Sequence, residues 1–216
     1  KIRRVKADLT QRVLDKKKTI EVKWRKDGVD EEIVQSALDN LKPTGIPMLD
    51  LAIWKGGFPS RTRQFCTEQL KVIPMIEQVY EPIWESGKEV IVWQGVRRAE
   101  SEARKNAKEF EKLPDGYYAY RPLVEWSARD VFDMHDKHGV EPNPLYKLGM
   151  ARVGCMPCIN TGKGEMFQIQ MRFPDVIDKI EKWEEIVSKV SKQGKSTFCT
   201  VSDVQGDGVR DRASWS

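Results

Sequence analysis

The segment Arg152-Val153-Gly154-Cys155-Met156-Pro157-Cys158 carries two thiols separated by two residues, one of them proline. A Cys-x-x-Cys loop brings its sulfurs close enough to grip one soft metal centre or to close one small disulfide. The proline stiffens that loop and removes a competing backbone donor. Read alone, Cys155 and Cys158 fit a zinc half-site, a redox pair or half of an iron–sulfur site. The choice depends on the two remaining cysteines, Cys66 and Cys199. The two histidines, His135 and His138, are spaced i, i+3. A helix end is their simpler role, because His138 precedes Gly139 and suits a C-terminal dipole partner.

Two groups of cations accompany the thiols. Gly95, Arg97, Arg98 and Arg104 follow directly after the apolar run Val90–Gln94. Ligands of open α/β sheets bind outside the carboxyl ends of strands. There, Gly95 allows close backbone approach, and the guanidinium forks match phosphate or sulfate oxygens. A charged, solvated helix is the plainer reading of the same residues. In the second group, Arg61, Arg63 and Lys71 bracket Cys66 at the start of a helical pattern. A helix start favours anions and lowers a thiol's pKa. A buried, inert Cys66 beside surface charge is the alternative.

These residues need elements to hold them. Val5–Val13 reads as a helix starting near Asp8, and Glu31–Leu41 as a helix with one apolar face. Thr19–Trp24 alternates like a strand or a loop edge. Met48–Trp54 is a short buried helix, and Gly56–Ser60 a loop. A helix then runs from about Thr67 to Glu85, with Pro74 and Pro82 expected to kink or shorten it. Val90–Gln94 reads as a parallel strand buried on both faces. Ser101–Lys112 reads as an exposed helix and Tyr117–Leu123 as a second strand. Ser127 is expected to cap a helix over Ala128–His138, which Gly139 ends. Asp175–Val190 is a strongly amphipathic helix, followed by a polar, Gly-rich tail. Strand–helix alternation points to α/β architecture with a parallel sheet. Two strands are too few for a free-standing parallel sheet, so the fold is expected to be incomplete at its N-terminus.

Length and composition bound the class. The 216 residues suffice for one sizeable domain with a helical appendage. No apolar run approaches the roughly 20 residues needed to cross a bilayer, and no secretory signal is recognisable. Four cysteines are too sparse for a disulfide-stapled secreted fold, so a reduced, cytoplasmic setting is expected. The net charge of +4 is mild and its charges are interspersed. That suits an anionic small molecule better than a duplex, whose binders show a concentrated basic face.

Six segments occur in a recognisable order: Phe58-Pro59-Ser60 with Cys66-Thr67 and Lys71; Trp93-Gln94-Gly95-Val96-Arg97-Arg98-x-Glu100-Ser101; Arg121-Pro122-Leu123-Val124-Glu125-Trp126; His138-Gly139; Asn143-Pro144-Leu145-Tyr146 with Gly149; and Val153-Gly154-Cys155-x-Pro157-Cys158. In these the chain resembles the phosphoadenylyl-sulfate (PAPS) reductase family, within the Rossmann-type adenine-nucleotide α-hydrolase-like (ATP pyrophosphatase) fold. The resemblance implies a nucleotide-binding α/β domain over 1–160, lacking the first strand and the phosphate loop, and a helical C-terminal extension over 161–216. It implies that Arg61, Arg63, Lys71, Gly95, Arg97, Arg98 and Arg104 surround the phosphates of ATP or an adenylyl sulfate, with Mg²⁺ as an accompanying ion. In the iron–sulfur branch, similar to adenylyl-sulfate reductase, four cysteines hold a [4Fe–4S] cluster. Cys155 and Cys158 match its second pair. Cys66 matches one member of its first pair, with Thr67 in place of the other. Cys199 is the candidate fourth ligand, and zinc is the alternative metal.

Two departures accompany the match. The family's Ser-Gly-Gly-Lys-Asp-Ser phosphate loop is not in this sequence, nor is its Glu-Cys-Gly-x-His, whose cysteine takes up sulfite. The expected function is therefore nucleotide-activated sulfur chemistry, by an ATP pyrophosphatase-type sulfur transferase or a sulfonucleotide reductase. The alternative is a non-catalytic nucleotide-sensing or partner-binding module acting with a DNA-processing protein. Expected partners are an adenine nucleotide and a DNA-processing or sulfur-donor protein. Self-association is left open and no membrane is involved.

Overall fold

Val13, Ile20 and Trp24 are buried while Val22 is 70% exposed, so the apolar residues of this region follow a helical repeat. Ile20 and Trp24 fit both a two-residue and a four-residue period, and Val22 separates the two. A computed structural model of the protein describes residues 2–150 and 152–198. In it, α1 (Thr10–Lys18) continues through a π turn over Thr19–Trp24 where a strand or loop edge was expected. Helix α1 starts later than expected because Asp8 lies before it and accepts from the Thr10 amide at 2.9 Å.

The chain forms two compact units. One contains residues 1–74 together with 149–216, and the other residues 75–148. In the first, α2 (Glu31–Asn40) is capped by Asp30, which accepts from the Glu32 amide. Helix α3 (Pro47–Lys55) opens on proline and ends at Gly56, whose left-handed φ of 71° lets the Gly57 amide reach Ala52 O at 3.0 Å. Two further helices, α6 (Lys163–Arg172) and α7 (Pro174–Lys189), pack together. Helix α7 lies against α2 and α3 and buries Ile177, Ile180 and Val187. The sequence pattern marked α7 but not α6. Residues 161–198 thus pack with 1–74.

The break before α3 is held by one carboxylate. Asp50 is 2% exposed and accepts from Thr44 N at 2.6 Å, Thr44 Oγ1 at 2.7 Å and Gly45 N at 3.0 Å. Asp50→Ala removes three charge-assisted bonds and leaves their donors partly buried. It is expected to lower stability by about 2–4 kcal/mol, read as a lower urea midpoint at unchanged m.

A run of helical segments, residues 65–85, is designated α4. It alternates α and π turns, with the π turns at Glu68–Val72 and Ile76–Tyr80. Each π turn ends two residues before a proline, Pro74 or Pro82. Wider turns accommodate the missing amides, so the prolines modulate the helix without ending it.

In the second unit, β1 (Ile91–Trp93) pairs in parallel with β3 (Tyr118–Tyr120), and β2 (Phe110–Lys112) pairs antiparallel with β3. The sheet order is β1-β3-β2. The architecture is α/β, but the sheet is small and mixed. The exposed helix expected over Ser101–Lys112 is replaced by short 3₁₀ turns and by β2. Backbone pairing to β3 captures Phe110–Lys112 more effectively than the helical propensity of a short polar segment does.

Val92 faces a cluster of Tyr80, Ile83, Trp84, Val90 and Tyr117. The opposite face carries Ile91, Trp93, Phe110, Tyr118 and Tyr120, with Trp93 74% exposed. Its rings contact one another: Trp93 lies 5.0 Å from Tyr120, and Phe110 stacks on Tyr118 at 5.5 Å. Burial of β1 on both faces is therefore not observed, because helical residues cover one face only. Helix α5 (Ala128–Lys137) begins with the expected Ser127 cap, reciprocated by Asp130. No helix among the described residues is long and apolar enough to cross a membrane.

Candidate thiol site and basic cleft

The loop leaving α3 presents the first cation pair. Ser60 and Arg63 exchange backbone hydrogen bonds at 3.1 and 3.2 Å, and Ser60 Oγ also accepts from the Arg63 amide. This closed turn displays Arg61 and Arg63 in solvent, and neither guanidinium has an acidic partner among the described residues. Cys66 follows at the start of α4 and is partly buried.

Cys158 comes from a distant loop of the same unit. Its amide donates to Thr161 Oγ1 at 2.9 Å, and its carbonyl accepts from the Thr161 amide at 2.9 Å. The buried Thr161 thereby anchors the half-buried Cys158. Cys66 and Cys158 lie within electrostatic reach of each other. Burial pushes the Cys66 thiol up, and the Cys158 charge adds to the rise; nearby amides and Lys71 oppose it weakly. The lowering expected from a helix start is outweighed. Cys155 is exposed. Among the described residues no three His, Cys, Asp or Glu groups gather as a metal cage. Cys199 lies outside the described residues.

The second cation group belongs to the other unit. Gly95 follows β1, and a Cβ there would meet nothing within 4 Å, so the backbone is approachable. The arginines after it carry acidic partners: Arg97 Nε lies 3.6 Å from Glu100, Arg104 also pairs with Glu100, and Arg98 pairs with Glu125. Arg98 further donates to Ala107 O at 2.9 Å. His135 contacts the Val140 carbonyl through Nδ1 at 2.9 Å, in keeping with a helix-end role.

Arg121 carries a positional role that residue type alone did not reveal. It is 7% exposed and donates to Gln94 Oε1, Lys108 O and Glu111 Oε1. The guanidinium thus ties the segment after β1 to β2. Its place directly after a strand was the available signal.

A broad concavity lies within the first unit, with a volume of about 1380 Å³. Arg61 and Arg63 form part of its rim. Arg12, Lys55 and Lys195 add further charge from separate segments, while among the described residues of its lining the only carboxylate is Asp15. Arg12 lies 4.8 Å and Lys55 3.9 Å from the Trp54 ring centre, so one indole positions two cations. Lys16 is 8% exposed and donates to Ile53 O at 2.6 Å and Val190 O at 3.0 Å. Burial pulls its ammonium down to about 8. It fastens α1 to the C-terminal ends of α3 and α7, where a cation opposes the helix dipole.

A mixed sheet with helices and a thiol pair joined to an arginine loop agrees with one family. The phosphoadenosine phosphosulfate reductase domain profile matches residues 40–161, and the chain belongs to that family. An uncharacterised protein of Escherichia phage 186 is 44% identical over 207 residues, covering 90% of this chain and 62% of its own length. An uncharacterised protein of Methanocaldococcus jannaschii is 27% identical over 191 residues, covering 82% and 38%. The adenosine 5'-phosphosulfate reductase of Geobacillus thermodenitrificans is 31% identical over 109 residues, covering 49% and 40%. The chain therefore spans less than two thirds of each of these relatives.

Proposed function

We propose that the chain takes part in nucleotide-activated sulfur chemistry, binding ATP or an adenylyl sulfate and holding an iron–sulfur cluster through cysteine. This reading is supported by the order of the family's motifs, with Cys66 just beyond the Arg61/Arg63 turn and Cys158 in the Cys-x-x-Cys loop, and by the electrostatic influence of Cys158 on the Cys66 thiol. Cys66, Cys155 and Cys158 are the donors that would hold the cluster once drawn together, since among the described residues they do not already form a cage, with Cys199 as the fourth candidate. This donor set suits iron–sulfur or zinc, both of which favour soft thiolates. A bound cluster would supply a site that positions or accepts sulfur. Arg61, Arg63 and Lys71 would hold the anionic end of the nucleotide derivative beside the thiols, as guanidinium and ammonium groups do for phosphate and sulfate. In the other unit, Gly95, Arg97, Arg98 and Arg104 form a separate anion-binding candidate, whose arginines would first have to exchange Glu100 and Glu125 for the ligand.

One observation favours a second reading. Glu100 and Glu125 already engage the three arginines after β1, as in a module that binds without turnover. Two measurements separate the readings. Anaerobic reconstitution with iron and sulfide is expected to give a brown protein containing stoichiometric iron and sulfide. Steady pyrophosphate release from ATP, lost in Arg97→Ala, marks the enzyme, whereas nucleotide binding without release marks the module. A colourless protein with stoichiometric zinc would remove the cluster from the proposal.

A further inference from the structure

The basic cleft of the first unit offers more room and more charge than a single nucleotide requires. Small-molecule pockets span about 300–1,000 Å³, and this one is about 1380 Å³. Its cations come from α1, the end of α3, the turn after it, and the segment following α7. Asp15 is the only carboxylate among the described residues of the lining. Lys192, also in the lining, is paired with Asp27 at 2.9 Å. Arg12, Lys55 and Lys195 have no acidic partner among the described residues. A recess lined by one sign of charge focuses its field on an extended anion.

The wall is also aromatic. Trp54 and Phe65 are half-buried, and Lys55 lies 3.9 Å from the first ring and 5.7 Å from the second. Cations held against aromatic rings along a groove are a combination found in surfaces that track the backbone of a single nucleic-acid strand. The turn that bears Arg61 and Arg63 is closed by its own backbone bonds, so part of the rim is preorganised.

We infer that this cleft binds a single-stranded nucleic acid through its phosphodiester backbone. The inference rests on Arg12, Lys55 and Lys195, which the nucleotide reading does not use; the two share only the Arg61/Arg63 rim. A strand held there would lie in the same compact unit as Cys66 and Cys158, consistent with an acceptor or guide for the sulfur chemistry.

The test is fluorescence anisotropy with labelled mixed-sequence 16-mers, in DNA and RNA arms, across a salt series. Binding of either single strand that weakens steeply with salt is the expected result. In the triple variant Arg12→Ala/Lys55→Ala/Lys195→Ala, affinity is expected to fall at least tenfold. The slope of log K against log salt is expected to fall by about 2, at about 0.7 per lost phosphate contact. Circular dichroism and reconstituted iron content of the variant should match the parent chain, which separates this result from failure of the cluster reading. Lys195→Glu alone is a second probe, since that exposed side chain makes no hydrogen bond or ion pair among the described residues; a several-fold loss is expected. Four results would overturn the inference: no binding at low salt, unchanged affinity in both variants, equal affinity for duplex, or displacement of the strand by ATP or pyrophosphate at equal phosphate concentration.

Discussion

A Cys66→Ala chain, reconstituted without oxygen, is expected to hold roughly a tenth or less of the iron bound by the parent chain. Cys66 comes from the start of α4, and Cys158 from a loop anchored by Thr161. They are the thiols that the fold brings within electrostatic reach. Removing Cys66 leaves Cys155 and Cys158 as a local pair, which can take a metal only as an open half-site. Unlike a local loop ligand, Cys66 also joins two remote segments, so metal binding by the intact set adds to folding stability. The parent chain should gain thermal stability on reconstitution, and Cys66→Ala should gain little. Iron content and thermal shift equal to those of the parent chain would exclude Cys66 as a ligand. Cys66→Ser supplies a shape-conserving control, because its hydroxyl is a poor substitute for a soft thiolate.

Stability should rise with pH through the alkaline range because of Lys16, and this rise should vanish in Lys16→Met. In the folded chain the Lys16 ammonium titrates near 8 because it is buried, against an ordinary value of 10.5. Between these values the unfolded chain holds more protons than the folded one, so unfolding becomes less favourable as pH increases. Below pH 8 both states carry the proton, and the full cost of burying the charge is present. Above about 10.5 neither carries it, and that cost is gone. The difference approaches about 3 kcal/mol. Urea unfolding of the parent chain and of Lys16→Met, from pH 7 to 10.5, isolates it from other titrating groups. Parallel stability curves would show that Ile53 O and Val190 O compensate the buried ammonium fully.

Local pattern made several elements legible. Ser127 announced its helix because a cap needs only a side chain and an amide three residues away. Pro47 and Gly56 bounded α3, and the apolar stripe of α7 emerged from its spacing. The failures occurred where local signals conflict. Ile20 and Trp24 satisfy strand and helix periods alike, and only the exposure of Val22 distinguishes them. Phe110–Lys112 joins a sheet through partners in β3, which its own short polar segment does not reveal. Likewise, an all-apolar strand does not tell how many of its faces a neighbour covers, and Trp93 is open to solvent.

Family membership was already present in the order of motifs, since that depends on residue type and spacing alone. Three-dimensional packing settled which charges stand together and which are neutralised. Evenly mixed charge along the chain hid a cleft in which Arg12, Lys55 and Lys195 converge, while the arginines after β1, prominent in the sequence, proved to be engaged by Glu100 and Glu125. Electrostatic interaction depends on distance through space, and a linear order of residues contains that distance only for near neighbours.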